Sequence, residues 1–245
     1  MVSARPCAEP AQIRGQPRGG RRFFLAMGLA MMATVFIGFA PTFYLRRLKS
    51  PLSPLLRAHG VVFSLWLVLF ILQAALVARD ATRLHRRLGV LGAGVALAML
   101  VMGTLVALRS VAGVSGTELQ AQLSDLAVPL FDMPVFALLV GAAFARRRVA
   151  PVHRRLMLIA TIGLLSPAIG RMPWPPSLLG PVSDFVAPDL FLVPLAVSDL
   201  ATDRKLHRAT VAGALLLIGS QALRVAISGT AAWSSFAGWA VGLVR

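Results

Sequence analysis

Four apolar runs limit what this chain can fold into: residues 23–44, 58–78, 88–108 and 127–145, none of which contains a Lys, Arg or Glu. An α-helix rises about 1.5 Å per residue, so roughly 20 such residues cross the hydrocarbon core of a bilayer. No water there satisfies backbone N–H and C=O groups, so a run of this kind must be helical. Residues 156–170 and 189–200 have the same character but are shorter, and Pro167, Pro173, Pro175, Pro176, Pro181, Pro188 and Pro194 lie within or between them. Residues 210–228 are long enough again, interrupted only near their end by Gln221 and Arg224. The expected fold class is all-α, a polytopic transmembrane helical bundle of about seven spans, within limits of six to eight.

Three regions follow from these runs. Residues 1–22 read as a basic cytoplasmic tail without fixed structure, residues 23–228 as the transmembrane domain, and residues 229–245 as a membrane-associated C-terminal segment. That last segment is apolar and carries Trp233, Phe236 and Trp239, but it is too short to cross easily and suits an interfacial helix. The tail plus the first run also resemble a signal peptide, with a basic start and small residues at Gly38 and Ala40. The run exceeds an ordinary signal-peptide core, so a signal anchor is the expectation.

Composition agrees with a lipid-solvated chain. It is 57% hydrophobic and 14% charged, with a mean hydropathy of +0.76, where a soluble domain is about a quarter charged. The 25 Lys and Arg against 9 Asp and Glu fall in clusters between apolar runs, which excludes the continuous basic face of a nucleic-acid binder. Anionic lipid head groups at the cytoplasmic face are the expected partners of those clusters. The single cysteine, Cys7, lies in the tail and supports neither an intrachain disulfide nor a cysteine metal site. Walker A, GxGxxG, HExxH and GxSxG motifs are all absent from the sequence.

The same clusters orient the chain. Basic residues crowd the tail (Arg5, Arg14, Arg18, Arg21, Arg22) and the segments after spans two, four and six, around Arg83, Arg147 and Lys205. The segments after spans three and five carry only Arg109 and Arg171, beside Glu118, Asp125 and Asp184. This predicts a bacterial cytoplasmic (inner) membrane protein with its N-terminus cytoplasmic and its C-terminus outside. Arg46, Arg47, Lys49 and Arg57 dissent, since they follow span one and should lie outside. The polar stretch 117–124 reads as an outer loop.

A repeated phrase opens spans three, five and seven: LHRRLG at residues 84–89, VHRRLM at 152–157 and LHRA at 206–209. One leading helix and three helical hairpins result, each hairpin entering its second helix through His-Arg. His85, His153 and His207 could therefore converge on a cofactor or proton path, since imidazole titrates near neutrality and ligates haem and metals. A His-Arg pair at a helix start also binds lipid phosphate and pins the helix end by snorkelling, and both readings stand at this point.

The segments AHGVVFSLWLVLFILQ at residues 58–73, LHRRLGVLG at 84–92 and HRRLMLIA at 153–160 resemble uncharacterised bacterial multi-pass membrane proteins. The resemblance covers roughly residues 40–170, and those families look distantly like the di-haem cytochrome b group. It implies haem b as cofactor, with His59, His85, His153 and His207 as candidate ligands and no metal beyond haem iron. Family members pair their histidines at matched depth, whereas His59 here stands alone on the outer side.

A second polar set lies in the outer half: Asp132, Arg171, Asp189, Gln221 and Arg224, with His59 at similar depth. Charged groups inside a bilayer face the bundle and pair, so Asp132 is expected to meet Arg171 or Arg224. The set reads either as salt bridges locking helix ends or as a pocket for an anion or polar head group. Gln73, in span two, is expected to bond a neighbouring helix. Two functions follow: a membrane redox or haem-handling protein, or a permease or lipid-interacting protein, with a structural subunit of a complex as a third.

Overall fold

The computed structural model describes residues 18–45, 51–175 and 182–245. The described chain is all-helical, and seven of its helical stretches are long and apolar enough to cross a membrane. They are Arg22–Tyr44, Pro54–Ala78, Thr82–Val111, Glu118–Ala145, Ala150–Ile169, Asp184–Asp203 and Arg208–Ser228. The chain is a multi-pass membrane protein.

The first span is α1 (Arg18–Phe39), continued by a π-turn at Ala40–Tyr44. Next come α2 (Pro54–Ala78) and α3 (Thr82–Val111), then the short α4 (Glu118–Asp125) leading into α5 (Ala127–Ala145). The fifth span is α6 (Ala150–Ile162) with the single turn α7 (Ser166–Ile169). A π-turn at Val182–Val186, α8 (Ala187–Asp189) and α9 (Leu192–Asp203) make the sixth. The chain ends in α10 (Arg208–Ser228) and α11 (Ala231–Gly242).

Local chemistry marks the helix ends. Ser53 caps α2 through its hydroxyl to the Leu56 N–H, and Pro54 follows at the first helical position, where no N–H is needed. Thr230 caps α11 in the same way, accepting from Trp233 N–H at 3.2 Å. The α9–α10 turn is made by Arg204 in the left-handed region at φ 57°.

Helix α6 occupies the centre, packed against α5, α9 and α10 and flanked by α1. Leu158, Ile159 and Ile162 on it are fully buried, among Met31, Met99, Phe136 and Leu217 of other helices. The span containing α6 and α7 is 61% buried, against 17% for the span formed by α2. That contrast explains why it is short and proline-broken: a helix shielded by neighbours need not itself compete for lipid. Gly38 lets α1 meet α7 closely, since an added Cβ there would overlap the Ala168 carbonyl oxygen.

The first helix begins at Arg18, ahead of the span that opens at Arg22, and residues 1–17, with Cys7, lie outside the described residues. One sequence expectation changes. Residues 117–124 are not an irregular loop, because α4 occupies most of them and turns Leu123 into a second core with Leu126, Ala127 and Trp233. The polarity that suggested a loop belongs to the solvent face of a short helix. Helix α11 completes that core, with Trp233 Nε1 donating to the Leu123 carbonyl at 2.8 Å and Arg245 reaching the Ala112 carbonyl. Arg46, Arg47 and Lys49, three of the dissenting cations, lie outside the described residues.

Candidate functional site

His85 and His153 each stand about one turn into their helices, α3 and α6, at the end of the bundle where α10 also begins. Their ring centres are 6.4 Å apart with the planes at 84°. Each ring is held by its Nδ1. That of His153 lies 2.9 Å from the Ala143 carbonyl, which can only accept, so Nδ1 carries the proton and Nε2 a lone pair. Gln73 reaches from α2 to His85: with its amide set to suit its neighbours, it donates to the His85 carbonyl at 3.1 Å and to His85 Nδ1. Its oxygen accepts from Gly89 N–H at 3.2 Å. The neutral His85 in that arrangement bears its proton on Nε2. One imidazole thus offers a donor and the other an acceptor.

His207 does not join them. It is the N-cap of α10, its Nδ1 accepting from Ala209 N–H at 3.1 Å. Burial, with Arg155 adding to it, pushes its pKa below the ordinary histidine value, and an unprotonated Nδ1 is what a cap acceptor requires.

Beside it lies a network that the sequence reading overlooked. Asp199 on α9 is 1% exposed and takes two bonds from Arg155 of α6, from Nε at 2.9 Å and from Nη2 at 2.5 Å. Its other oxygen accepts from Thr210 Oγ1 at 2.6 Å and from His207 N–H at 3.0 Å. Arg155 also donates to the Pro151 carbonyl and lies 3.6 Å from Asp203. Three helices are joined through one carboxylate.

At the opposite end Asp132 faces the bundle and meets Arg224, with Nη1 to Oδ1 at 2.7 Å. Arg224 is 2% exposed and spends its remaining donors on α10 and α5: Nε on the Ser220 carbonyl, Nη2 on Ser220 Oγ, and Nη1 also on the Val128 carbonyl. Its guanidinium lies over the Phe185 ring at 5.7 Å. Gln221, one turn before it, donates to Asp189 at 3.0 Å, tying α10 to α8.

The expected outer set is therefore two groups. Arg171 does not reach Asp132; it donates to the Pro167 carbonyl at 2.6 Å and lies over Phe39 at 4.8 Å. His59 stacks near Phe63 with ring centres 4.1 Å apart, and its Nδ1 is buried without a partner among the described residues.

No family model matches the chain, and no curated protein or solved structure matches it either. The chemistry must be argued from the residues. Among the described residues no group of three or more His, Cys, Asp or Glu is disposed to hold a bare metal ion. A planar iron cofactor needs only two protein ligands. His85 and His153, with ring centres 6.4 Å apart, are the imidazoles that would hold one.

Proposed function

We propose that the chain is a membrane redox or haem-handling protein in which His85 and His153 hold one haem b. The observation that carries this reading is the 6.4 Å separation of two imidazoles that each stand one turn into their helices. The resemblance to the di-haem cytochrome b group supports it in part: such a pair exists at one end, while His59 stands alone at the other and His207 is used as a helix cap. One site, not two, is the consequence.

Haem would supply one-electron chemistry. The chain's own residues would orient the ligands. The Ala143 carbonyl keeps the proton on Nδ1 of His153 and leaves Nε2 free to ligate. In the arrangement that satisfies Gln73, Nε2 of His85 carries the ring's proton, so ligation through it would require that proton to move to Nδ1, where the Gln73 amide now donates.

The test is a visible spectrum of protein purified from haem-supplied cells. The expected result is a Soret band, with split α and β bands on reduction. His85→Ala and His153→Ala should each abolish it while leaving membrane insertion intact, and His207→Ala should leave it in place. Colourless protein, or unchanged spectra in both single variants, would end the assignment.

The reading places the protein in the bacterial cytoplasmic membrane with the histidine-bearing end inside, following the basic segments around Arg83, Arg147 and Lys205. Reporter fusions after Arg147 should report a cytoplasmic position, and fusions after Thr117 an external one. The reverse pattern at both sites would invert the topology. A permease or lipid-interacting role through an outer pocket gains less support, because the guanidinium such a pocket would use is committed to Asp132, Ser220 and Val128.

A further inference from the structure

A groove of about 1060 Å³ runs along the lipid-exposed side of the histidine end, lined by residues of α5, α6 and α10 and of the turn before α10. Its floor includes Leu156 and Gly213, and its walls include Leu138, Ala142, Ala212 and Leu216. Leu138 is 59% exposed, so in a bilayer this surface faces acyl chains. From Arg146 down α5 to Leu138, and from Arg208 along α10 to Leu216, is eight residues on each side, or roughly 12 Å of apolar trough. At its mouth stand Arg146, Lys205 and Arg208.

Charge decides what the mouth prefers. Asp203 also lines it, but lies 3.6 Å from Arg155 and is partly neutralised there. Arg208 is the first residue of α10, so its cation sits at the positive end of the helix dipole, which an adjacent anion would relieve. His207 stands between Lys205 and Arg208 and acts as the neutral helix cap. Three cations above an apolar trough match a phosphate carried on an acyl chain.

We propose that this groove is a binding site for one anionic glycerophospholipid. Its phosphate lies among Arg146, Lys205 and Arg208, and one acyl chain follows Ala142 and Leu138 against Ala212 and Leu216. The site is independent of any cofactor at His85 and His153.

Native mass spectrometry of the full chain in detergent, with phosphatidylglycerol or phosphatidylcholine added at equal concentration, tests it. At least several-fold greater retention of phosphatidylglycerol is expected. R146Q/K205Q/R208Q should bring retention down to the phosphatidylcholine level. Ala212→Phe, which fills the trough without altering charge, should also reduce it. The charge-matched control R79Q/R83Q/R87Q, at the end of α2 and in the first two turns of α3, should retain the wild-type preference. Equal retention of the two lipids by the wild-type chain would overturn the proposal. So would an equal loss in the control triple variant, which would mean diffuse attraction to a basic surface, or undiminished binding by Ala212→Phe.

Discussion

Replacing Arg224 with alanine should destabilise the folded bundle by about 3–5 kcal/mol, and replacing both Arg224 and Asp132 should cost less than the single change. The asymmetry follows from where the pair lies. Arg224 is 2% and Asp132 7% exposed, and both sit inside spans, where the alternative to pairing is an ion facing protein and lipid. Removing the guanidinium strands the carboxylate and also frees Ser220 Oγ and the Val128 carbonyl, which it now satisfies. Removing both partners leaves a small cavity and two weakly polar groups. Thermal unfolding in detergent of Asp132→Ala, Arg224→Ala and the double variant completes the cycle. Additive losses in the double variant would show that the two residues act independently, against the pairing at 2.7 Å. A matching loss in Arg171→Ala is not expected, since that side chain bonds its own helix turn at Pro167 and rests on Phe39.

That pairing was legible in the sequence because an acid surrounded by apolar residues in a span has few ways to be satisfied. The seven spans were legible for a related reason: length and hydropathy suffice where solvent is lipid and every backbone group must be bonded within the helix. The choice between Arg171 and Arg224 was not legible, since it depends on which face of each helix meets α5. The same logic, applied to Asp199 in LAVSDLATD, would have pointed to the second buried acid. In the sequence Arg155 stands in the same basic stretch as the loop cations Arg146, Arg147 and Arg148, and such a cluster reads alike whether its members face water or the core. Arg155 is 3% exposed. The histidines show the opposite limit. Their recurrence at three helix starts was plain, but similar phrases led to different uses: the rings of His85 on α3 and His153 on α6 lie 6.4 Å apart, while His207 caps the first turn of α10. Sequence position sets depth in the bundle; rotation about each helix axis sets partners, and that comes only from packing.

Helix α10 is thus bound at both ends through buried carboxylates, and the end at Asp199 is the more completely satisfied. Both oxygens of Asp199 accept, from Arg155 on one side and from Thr210 and His207 N–H on the other. Asp199→Ala is therefore expected to cost about 3–5 kcal/mol, because it strands a guanidinium at 3% exposure together with a hydroxyl and a helix-terminal N–H. Asp199→Asn should be milder for the α10 contacts, since an amide oxygen can still accept from Thr210 and His207. It should remain costly toward Arg155, because the amide nitrogen then faces donors. Arg155→Met combined with Asp199→Ala should recover part of the loss, as apolar replacement of a buried ion pair commonly does. Arg154→Met in the same Asp199→Ala background supplies the contrast: its neighbour carries the same charge, but Arg155 is the residue bonded to Asp199. Unfolding of the four variants in one detergent, scored against the wild type, decides the matter. Equal recovery from either arginine replacement would show that relief of general positive charge, not the buried pair, accounts for the effect.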